Sequence, residues 1–327
     1  MRRREFIALL GGAAAIWPLA ARAQQRAMPA IGFLNAESAR GYARPLAAFL
    51  KGLSETGYED GRNVIIAYRW ADGHNDRLPA MAADLVTRNV AVIAATTTPA
   101  ALAAKAATST IPIVFESATD PIGQGLVTSL SRPGGNVTGV TQTNAEVAPK
   151  LLQLMHEVFP AAHTMGLLVN PTSPALADPQ MKGFLAAAQT LGLELRILNA
   201  SSDGDLDVAF AKLSQLGARA LVISTDPFFT SRSEQLAALT ARYAMPAAYK
   251  GREFAAAGGL LGYGTDIAAT FYLAGAYTGR ILKGEKIADL PVQQATKVEL
   301  VINMKTAKAL GIDFPITLLG RADEVIE

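Results

Sequence analysis

The side chains best suited to chemistry in this sequence are hydroxyl and carboxylate groups that follow short apolar runs. Three consecutive threonines, Thr96 to Thr98, precede Pro99. Two of the aspartates that precede a proline, in Asp120-Pro121 and in Asp226-Pro227, follow such apolar runs. Such groups can bind a polar small molecule, because hydroxyls at a helix N-terminus suit a carboxylate and an aspartate suits an ammonium group. The same residues are also common helix caps, which is the ordinary structural alternative for each of them.

Indications of catalysis are weak. The sequence has no cysteine, and its three histidines, His74, His156 and His163, lack the spacing of a metal site. It contains no GxSxG elbow and no GxxxxGK[ST] phosphate loop, and Gly262-Tyr263-Gly264 lacks the rest of a dinucleotide-binding fingerprint. Only 18% of the residues are charged and the net charge is +2, which does not favour a nucleic-acid surface. We therefore expect no enzyme activity, no cofactor, no metal and no nucleic-acid partner.

The apolar runs that precede the candidate residues are predicted to be strands of two sheets. β-rich runs alternate with Ala- and Leu-rich segments of helical period, which is typical of a parallel sheet covered by helices on both faces. Residues 31–35 resemble 165–170, and Ile111-Pro112 resembles Met245-Pro246, at an offset near 135. The repeat predicts an α/β fold of two doubly wound, Rossmann-like lobes. Strands are expected at residues 30–34, 63–70, 90–95, 112–115 and 136–140, and at 164–170, 194–199, 220–224, 247–249 and 259–263.

Two facing lobes of this kind share one cleft, because ligands bind at the carboxyl ends of parallel strands. Asn35 and Asn170, which the repeat relates, either offer an amide to a solute or form Asx-turns. Phe228 either stacks on a planar ligand or belongs to the core of its lobe. The predicted ligand-binding residues are Asn35, Ser38, Thr97, Thr98, Ser117, Asp120, Asn170, Asp226, Phe228, Tyr249, Arg252 and Glu253.

Two places compete as the site of a ligand carboxylate. The first is the Thr97 and Thr98 pair at a predicted helix N-terminus. The second is Arg252, whose guanidinium can hold a carboxylate with two hydrogen bonds. Arg252 can instead form an ion pair with Glu253 or its neighbours at a hinge. The sequence leaves both sites open.

The first 24 residues have the composition of an export signal. Three arginines, Arg2 to Arg4, precede an apolar stretch over residues 6–21, and Ala21-Arg22-Ala23 matches a cleavage site. The beginning is similar to a twin-arginine signal. The apolar stretch is short, rich in Gly and Ala and broken by Pro18, which argues against a membrane anchor. We expect a signal peptide over residues 1–23, cleavage near Ala23 and a periplasmic mature protein.

Several motifs, in order along the chain, resemble those of ABC transporter substrate-binding proteins with the type I periplasmic binding fold. They are the leader at residues 3–7 and the stretches 120–123, 132–139, 258–264 and 301–312. The motifs are most similar to the branch of this family that includes tryptophan-binding and phenylalanine-binding proteins. The resemblance implies two lobes joined by three hinge strands, near residues 141–146, 249–254 and 289–292, that close around a ligand. Lobe one would then comprise residues 28–143 and 252–290, and lobe two residues 144–251 and 291–327.

The resemblance further implies the exported solute-binding subunit of an ABC importer. Its solute would be a small polar or aromatic molecule, either an amino acid or an aromatic carboxylate. Its partners would be the permease and ATPase complex of the inner membrane, and the protein would act as a monomer. A periplasmic sensory protein that presents its closed form to a receptor would use the same cleft, and an α/β enzyme is the remaining alternative.

Overall fold

The computed structural model describes residues 28–142, 147–295 and 297–327, so the predicted signal peptide lies outside the described residues. Every predicted strand is present, with ends displaced by no more than two residues. The strands are β1 Ala30–Asn35, β2 Ile65–Trp70, β3 Val92–Ala95, β4 Ile113–Ser117, β5 Val137–Gln142, β6 Thr164–Val169, β7 Glu194–Asn199, β8 Leu221–Ile223, β9 Ala247–Tyr249, β10 Leu261–Thr265, β11 Gln293–Ala295, β12 Val298–Asn303 and β13 Glu324–Ile326.

Helices alternate with the strands along most of the chain, and two short 3-10 helices cover Asn75–Arg77 and Ile287–Asp289. None of the helices formed by the described residues combines the length and apolar character needed to cross a bilayer. The α-helices are α1 Ala43–Glu55, α2 Leu78–Thr87, α3 Thr98–Ala107, α4 Val147–Val158, α5 Pro174–Leu191, α6 Asp203–Gln215, α7 Pro227–Ser231, α8 Ser233–Arg242, α9 Arg252–Ala256, α10 Ile267–Leu282, α11 Met304–Ala309 and α12 Ile316–Leu319.

The two sheets repeat one strand order. The first sheet runs β11-β5-β4-β3-β1-β2 and the second runs β13-β12-β10-β9-β8-β6-β7. The series β5-β4-β3-β1-β2 in one sheet corresponds to β10-β9-β8-β6-β7 in the other, and the pairs within both series are parallel. The predicted α/β fold with two similar Rossmann-like lobes is therefore confirmed. The chain passes between the lobes three times, after β5, after β10 and after β11.

The lobe boundaries differ from those expected at two of the three crossings. Strand β10 pairs with β9 in the second sheet, so residues 252–265 belong to lobe two and not to lobe one. Strand β11 pairs with β5, so residues 291–295 extend the first sheet. The hinge expected near residues 249–254 is not there, because residues 252–256 form the short helix α9 and the chain then returns to the same sheet. Gly262 permits this close return, because a Cβ there would lie 2.1 Å from the Gly251 carbonyl oxygen.

Each sheet has apolar residues on both faces, as a parallel sheet covered by helices requires. In β1, Ile31 and Phe33 pack on one face and Leu34 on the other. In β6, Leu167 and Leu168 divide between two cores in the same way. Alternate residues of a nearly continuous apolar run thus fill separate cores, and the polar residues that follow each strand emerge at the carboxyl edge of the sheet.

Helix α10, which follows the second crossing, is held against α1 in lobe one. The backbones of the two helices touch, because a Cβ on Gly52 would lie 2.0 Å from the Tyr272 carbonyl oxygen and one on Gly275 would lie 2.0 Å from that of Phe49. Larger residues would force the helices apart. This contact fixes the start of α10, where Ile267 faces the space between the lobes.

Candidate ligand-binding cavity between the lobes

A buried cavity lies between the lobes, where the carboxyl ends of strands from both sheets meet. In this closed arrangement its volume is about 20 Å³, which is room for about one water molecule and far below the roughly 300–1,000 Å³ of small-molecule sites, so a ligand can be held there only with the lobes further apart. Both lobes contribute to its wall, so a molecule inside it would contact both. The lining residues are Tyr42, Thr97, Thr98, Glu116, Ala118, Gln142 and Ile267 from lobe one, and Thr225, Asp226, Pro227, Thr230 and Lys250 from lobe two.

The two predicted threonines line the lobe-one wall at the N-terminus of α3. Thr97 has extended backbone angles and caps the helix, and its hydroxyl accepts hydrogen bonds from the amides of Ala100 (3.4 Å) and Ala36 (3.3 Å). Its hydroxyl proton therefore stays available to a ligand oxygen. The Thr98 hydroxyl lies 3.1 Å from that of Ser117 and accepts from the Ala118 amide. Capping and exposure to the cavity thus occur together at this helix end.

The repeat-related asparagines support the cavity wall and do not line it. Asn35 donates to the Thr96 hydroxyl (2.9 Å) and accepts from the Glu37 amide (2.8 Å). Asn170 donates to Asp226 Oδ1 (2.9 Å) and accepts from the Thr172 amide (3.0 Å). Both form the Asx-turn that was the structural alternative for these residues. Each one orients the polar loop after the third strand of its lobe.

Asp226 is the most exceptional group in the wall. Asp226 is the N-cap of α7, because its Oδ1 accepts from the Phe228 amide (2.9 Å), and the same oxygen accepts from the Asn170 side chain. Its Oδ2 is buried and has no hydrogen-bond partner among the described residues. Burial raises the pKa of Asp226 to about 6, against the lowering effect of the bonds from Asn170 and Phe228, the nearby Ser173 hydroxyl and the Lys250 ammonium. A buried carboxylate oxygen without a donor is costly, so a ligand that brings a donor is favoured here.

Asp120, which occupies the same Asp-Pro motif, has a different place. Its carboxylate is exposed and accepts from the amides of Ile122 (3.0 Å) and Gly123 (3.0 Å). It lies outside the residues that line the cavity, so its expected contact with a ligand is corrected to capping.

Three buried polar residues that the sequence did not single out form a chain across the cavity. The Lys250 ammonium of lobe two donates to Gln142 Oε1 (2.8 Å), and the Gln142 amide donates to the Glu116 carboxylate, both of lobe one. Thr270 also donates to Glu116 (3.2 Å). Burial lowers the pKa of Lys250 to about 8, and burial raises the pKa of Glu116 against the opposing effect of the Lys250 charge. A sequence signal that could have indicated this chain of polar residues is a charged residue at the end of an apolar strand, such as Glu116.

Tyr42 is a further lining residue that sequence reasoning missed. Its ring packs on Phe271 with centroids 5.8 Å apart, and it is almost fully buried. Burial raises the pKa of Tyr42, with smaller effects in the same direction from Glu37 and Asp226. The residue lies seven positions beyond β1, so only the fold brings it to the strand ends.

Tyr249 and Phe228, the two aromatic residues predicted to bind the ligand, lie in the interior of lobe two. The Tyr249 hydroxyl donates to the Asp226 carbonyl oxygen (3.0 Å) and lies 2.8 Å from the Thr230 hydroxyl. Phe228 is buried, contacts Phe229 edge to face with centroids 5.3 Å apart, and lies under the Arg232 guanidinium. Neither residue lines the cavity. The expected stacking of Phe228 on a ligand is corrected to packing in the core of lobe two.

The remaining predicted residues also lie outside the lining. The Arg252 guanidinium is exposed and bonds Glu324 through two nitrogens, at 2.7 and 2.8 Å, so it does not reach the cavity. Glu253 pairs with Arg44 of lobe one across the surface of the cleft. Ser38 accepts from the Gly41 amide within a turn (3.2 Å), and Ser117 supports Thr98. Of the two competing carboxylate sites, only the threonine pair faces the cavity.

The lobes are closed over the cavity by direct hydrogen bonds around its rim. The Ser231 hydroxyl of lobe two lies 2.8 Å from Glu37 of lobe one. On another side, Asn75 donates to the Ser173 hydroxyl (2.9 Å) and Gln124 donates to the Ala175 carbonyl oxygen (3.0 Å). These bonds can form only when the lobes are together, so the structure is a closed conformation.

Comparison with known proteins gives consistent matches over most of the chain. The model of a family described as ABC transporter substrate binding protein matches residues 40–326. A tyrosine-binding protein of Clostridioides difficile is 30% identical over 265 residues, which cover 81% of this chain and 75% of that protein.

Two solved structures are similar over almost the whole chain. The ABC domain in complex with L-Trp from Streptococcus pneumonia has a TM-score of 0.81 and 28% identity, covering 92% of this chain and 100% of that one. A conserved domain protein from Vibrio cholerae has a TM-score of 0.82 and 27% identity, covering 91% of this chain and 100% of that one.

Proposed function

This chain belongs to the family of ABC transporter substrate-binding proteins, and from that premise we propose that it captures an α-amino acid, preferably an aromatic one, in the cavity between its lobes. The tyrosine-binding and L-Trp-bound relatives support the class of ligand. The cavity supports the choice between the two solutes that the sequence left open. It favours an amino acid over an aromatic carboxylate that lacks an ammonium group.

The observation that carries this choice is the buried Oδ2 of Asp226, which has no hydrogen-bond partner among the described residues. Among the described residues that line the cavity there are two carboxyl groups, those of Glu116 and Asp226, and one amino group, that of Lys250. Lys250 is bonded through Gln142 toward Glu116, which leaves Asp226 without a bonded cation. A ligand ammonium at Oδ2 would supply both the missing donor and the missing charge.

The ligand carboxylate is assigned to the opposite wall. The Thr97 hydroxyl proton and the N-terminal end of α3 face the cavity there, and both favour an anion. The ammonium site belongs to lobe two and the carboxylate site to lobe one. A zwitterion therefore links the lobes, whereas a molecule with only one of these groups contacts one lobe well and the other poorly.

The apolar part of the lining receives the side chain of the ligand. It consists of Tyr42, Ala118, Pro227 and Ile267. The Tyr42 ring offers an aromatic surface, and stacked or edge-to-face aromatic pairs add about 0.5–1.5 kcal/mol beyond the burial of their area. This contact supports the preference for an aromatic amino acid.

We extend the proposal to solute capture outside the cytoplasmic membrane and delivery to an ABC permease. The support is the family and the export-signal composition of residues 1–23. Closure of the lobes over the ligand would create the form that the permease receives. Uptake of a radiolabelled amino acid by cells with and without the gene separates an importer from a sensory protein, because a sensory protein would leave uptake unchanged.

The test of the binding site is calorimetric titration with L-phenylalanine, 3-phenylpropanoate and phenethylamine. The last two compounds lack the ammonium and the carboxylate, respectively. Asp226→Asn should weaken phenylalanine binding roughly 10- to 150-fold, because a hydrogen bond to a charged group contributes about 1.5–3 kcal/mol. Asp120→Asn changes the matching Asp-Pro motif outside the cavity and should bind like the unmodified protein.

Two results would contradict the proposal. One is 3-phenylpropanoate binding as tightly as phenylalanine. The other is an equal loss of affinity in Asp226→Asn and Asp120→Asn, which would mean that capping and not ligand contact explains the effect.

A further inference from the structure

A second void lies between the lobes beside the cavity, and it is much larger. Its volume is about 290 Å³, against about 20 Å³ for the cavity. Thr98, at the start of α3, belongs to both linings, and the other lining residues of the two voids differ. We call this void the three-helix pocket, because the N-terminal halves of α2, α3 and α5 form most of its wall.

The wall of the three-helix pocket is mainly apolar and has no charge. Ala103 and Ala175 belong to it, and none of the described residues that line it is ionisable. An ion in the pocket would lose hydration without gaining an opposite charge, so the pocket favours an uncharged molecule. Each of the three helices also contributes one leucine and one proline, which are Leu78 and Pro79 of α2, Pro99 and Leu102 of α3, and Pro174 and Leu176 of α5.

The four polar residues of the lining already have hydrogen-bond partners. Asn75 donates to the Ser173 hydroxyl (2.9 Å), so these two lining residues bond each other. The Thr172 hydroxyl donates to Asn170 Oδ1 (2.8 Å). The Thr98 hydroxyl lies 3.1 Å from that of Ser117. A molecule in the pocket therefore has no polar group to satisfy, and its affinity comes from the apolar surface that it removes from water.

The pocket exists only when the lobes are together. Helices α2 and α3 belong to lobe one and α5 belongs to lobe two, so opening of the cleft separates the walls. Two hydrogen bonds join the lobes at the lining, from Asn75 to Ser173 and from Gln124 to the Ala175 carbonyl oxygen (3.0 Å). A molecule that contacts both walls binds the closed form better than the open form and favours closure.

The volume of the pocket indicates the size of its occupant. An apolar cavity of about 150 Å³ is large enough to hold one benzene ring. The three-helix pocket has about twice that volume and is close to the lower end, about 300 Å³, of small-molecule sites. It is therefore matched to a molecule of about two fused rings.

We propose that the three-helix pocket is a second binding site, which takes an uncharged apolar molecule of about two fused rings and is completed by both lobes. Apart from Thr98, the site uses none of the residues that line the cavity. It is therefore independent of the proposed capture of an amino acid. Its occupant would hold the lobes together without an amino acid in the cavity.

The test is calorimetric titration of the full protein with indole, an uncharged molecule of two fused rings. Indole should bind with a Kd below about 1 mM, which is an ordinary affinity for a molecule of its size. Ala103→Phe places a ring in the pocket from lobe one, and Ala175→Phe places one from lobe two. Because one phenyl ring takes up about half of the volume, each variant should weaken indole binding at least about tenfold.

Three control variants separate the pocket from other places. Ala106→Phe and Ala186→Phe add the same ring at exposed positions of α3 and α5, and should leave the Kd for indole within about twofold. Ala118→Leu narrows the cavity and should also leave indole binding unchanged. Thermal unfolding checks that each variant is folded. A crystal structure with 5-bromoindole needs no variant, and its bromine signal should lie among Leu78, Leu102 and Leu176.

The proposal is overturned if indole does not bind, or if only one of Ala103→Phe and Ala175→Phe weakens it, which would mean a site on a single lobe. It is also overturned if Ala118→Leu weakens indole binding and Ala103→Phe does not, because indole would then lie in the cavity. Failure of phenylalanine to bind would contradict the proposed function alone, since these measurements are made without an amino acid.

Discussion

Replacement of Gly41 by alanine should hold the lobes apart while leaving each lobe folded. Gly41 lies in the turn between β1 and α1 and faces Ser231 of lobe two. A Cβ on Gly41 would lie 2.5 Å from Ser231 Cβ and 2.9 Å from Ser231 Cα. Gly41 does not have a positive φ, so alanine is compatible with its backbone. The clash therefore arises only between the lobes, and only when they are closed.

The expected loss of affinity follows from the distance by which the lobes must separate to admit the Cβ of alanine at position 41. Ordinary contacts of a Cβ begin near 3.4 Å, so the lobes must separate by about 1 Å at this point. That shift takes the 2.8 Å contact between Glu37 and Ser231 beyond hydrogen-bonding distance and strains the polar contacts of a ligand held by both lobes. The loss of one charge-assisted hydrogen bond costs about 1.5–3 kcal/mol, which corresponds to roughly 10- to 150-fold weaker binding.

Calorimetric titration with L-phenylalanine measures this loss, and thermal unfolding without ligand checks that the lobes remain folded. Gly183→Ala is the matched control, because a Cβ on that α5 residue would have its nearest neighbour at 3.6 Å. The control should bind like the unmodified protein and, because alanine replaces glycine inside a helix, should unfold at the same or a slightly higher temperature. The reasoning is refuted if Gly41→Ala binds phenylalanine with undiminished affinity, or if its melting temperature without ligand falls as much as its affinity suggests.

Two further predictions follow from the contacts of single residues. Arg252→Ala should leave phenylalanine affinity within about twofold, because its guanidinium bonds Glu324 on the surface; a large loss in titration would restore Arg252 as a carboxylate site. Gly275→Ala should destabilise the ligand-free protein by about 1–3 kcal/mol, because its Cβ would lie 2.0 Å from the Phe49 carbonyl oxygen. We expect Tm to fall by roughly 2–10 °C in a thermal unfolding experiment. An unchanged Tm would show that α1 and α10 can separate freely.

The framework of the fold was accessible from the sequence because buried parallel strands are almost continuous apolar runs. The recurrence of such runs at an offset near 135 residues predicted two similar lobes, and the equivalent positions of Asn35 and Asn170 at the ends of β1 and β6 agree with it. The second hinge, which the family resemblance implied near residues 249–254, was misplaced. Whether the chain after Tyr249 crosses to the other lobe depends on the pairing of β10 with β9, a contact that no local pattern specifies.

The candidate site could be predicted only where a local motif and the strand ends coincide. Thr97, Thr98 and Asp226 each follow an apolar run, and all three line the cavity. Lys250 and Gln142 meet although 108 positions separate them, so no local spacing indicates their contact. Arg252 follows a strand end just as closely, but Glu324, which is 72 positions away, holds its side chain at the surface. Pairing between distant residues therefore decides which polar groups near a strand end reach the ligand.

A crystal structure of the protein grown with L-phenylalanine tests the central claim most directly. The amino nitrogen of the ligand should lie about 2.7–3.2 Å from Asp226 Oδ2, with its carboxylate at Thr97 and Thr98. A ligand bound in the opposite orientation, a ligand bound elsewhere, or an empty cavity at saturating phenylalanine would contradict the account.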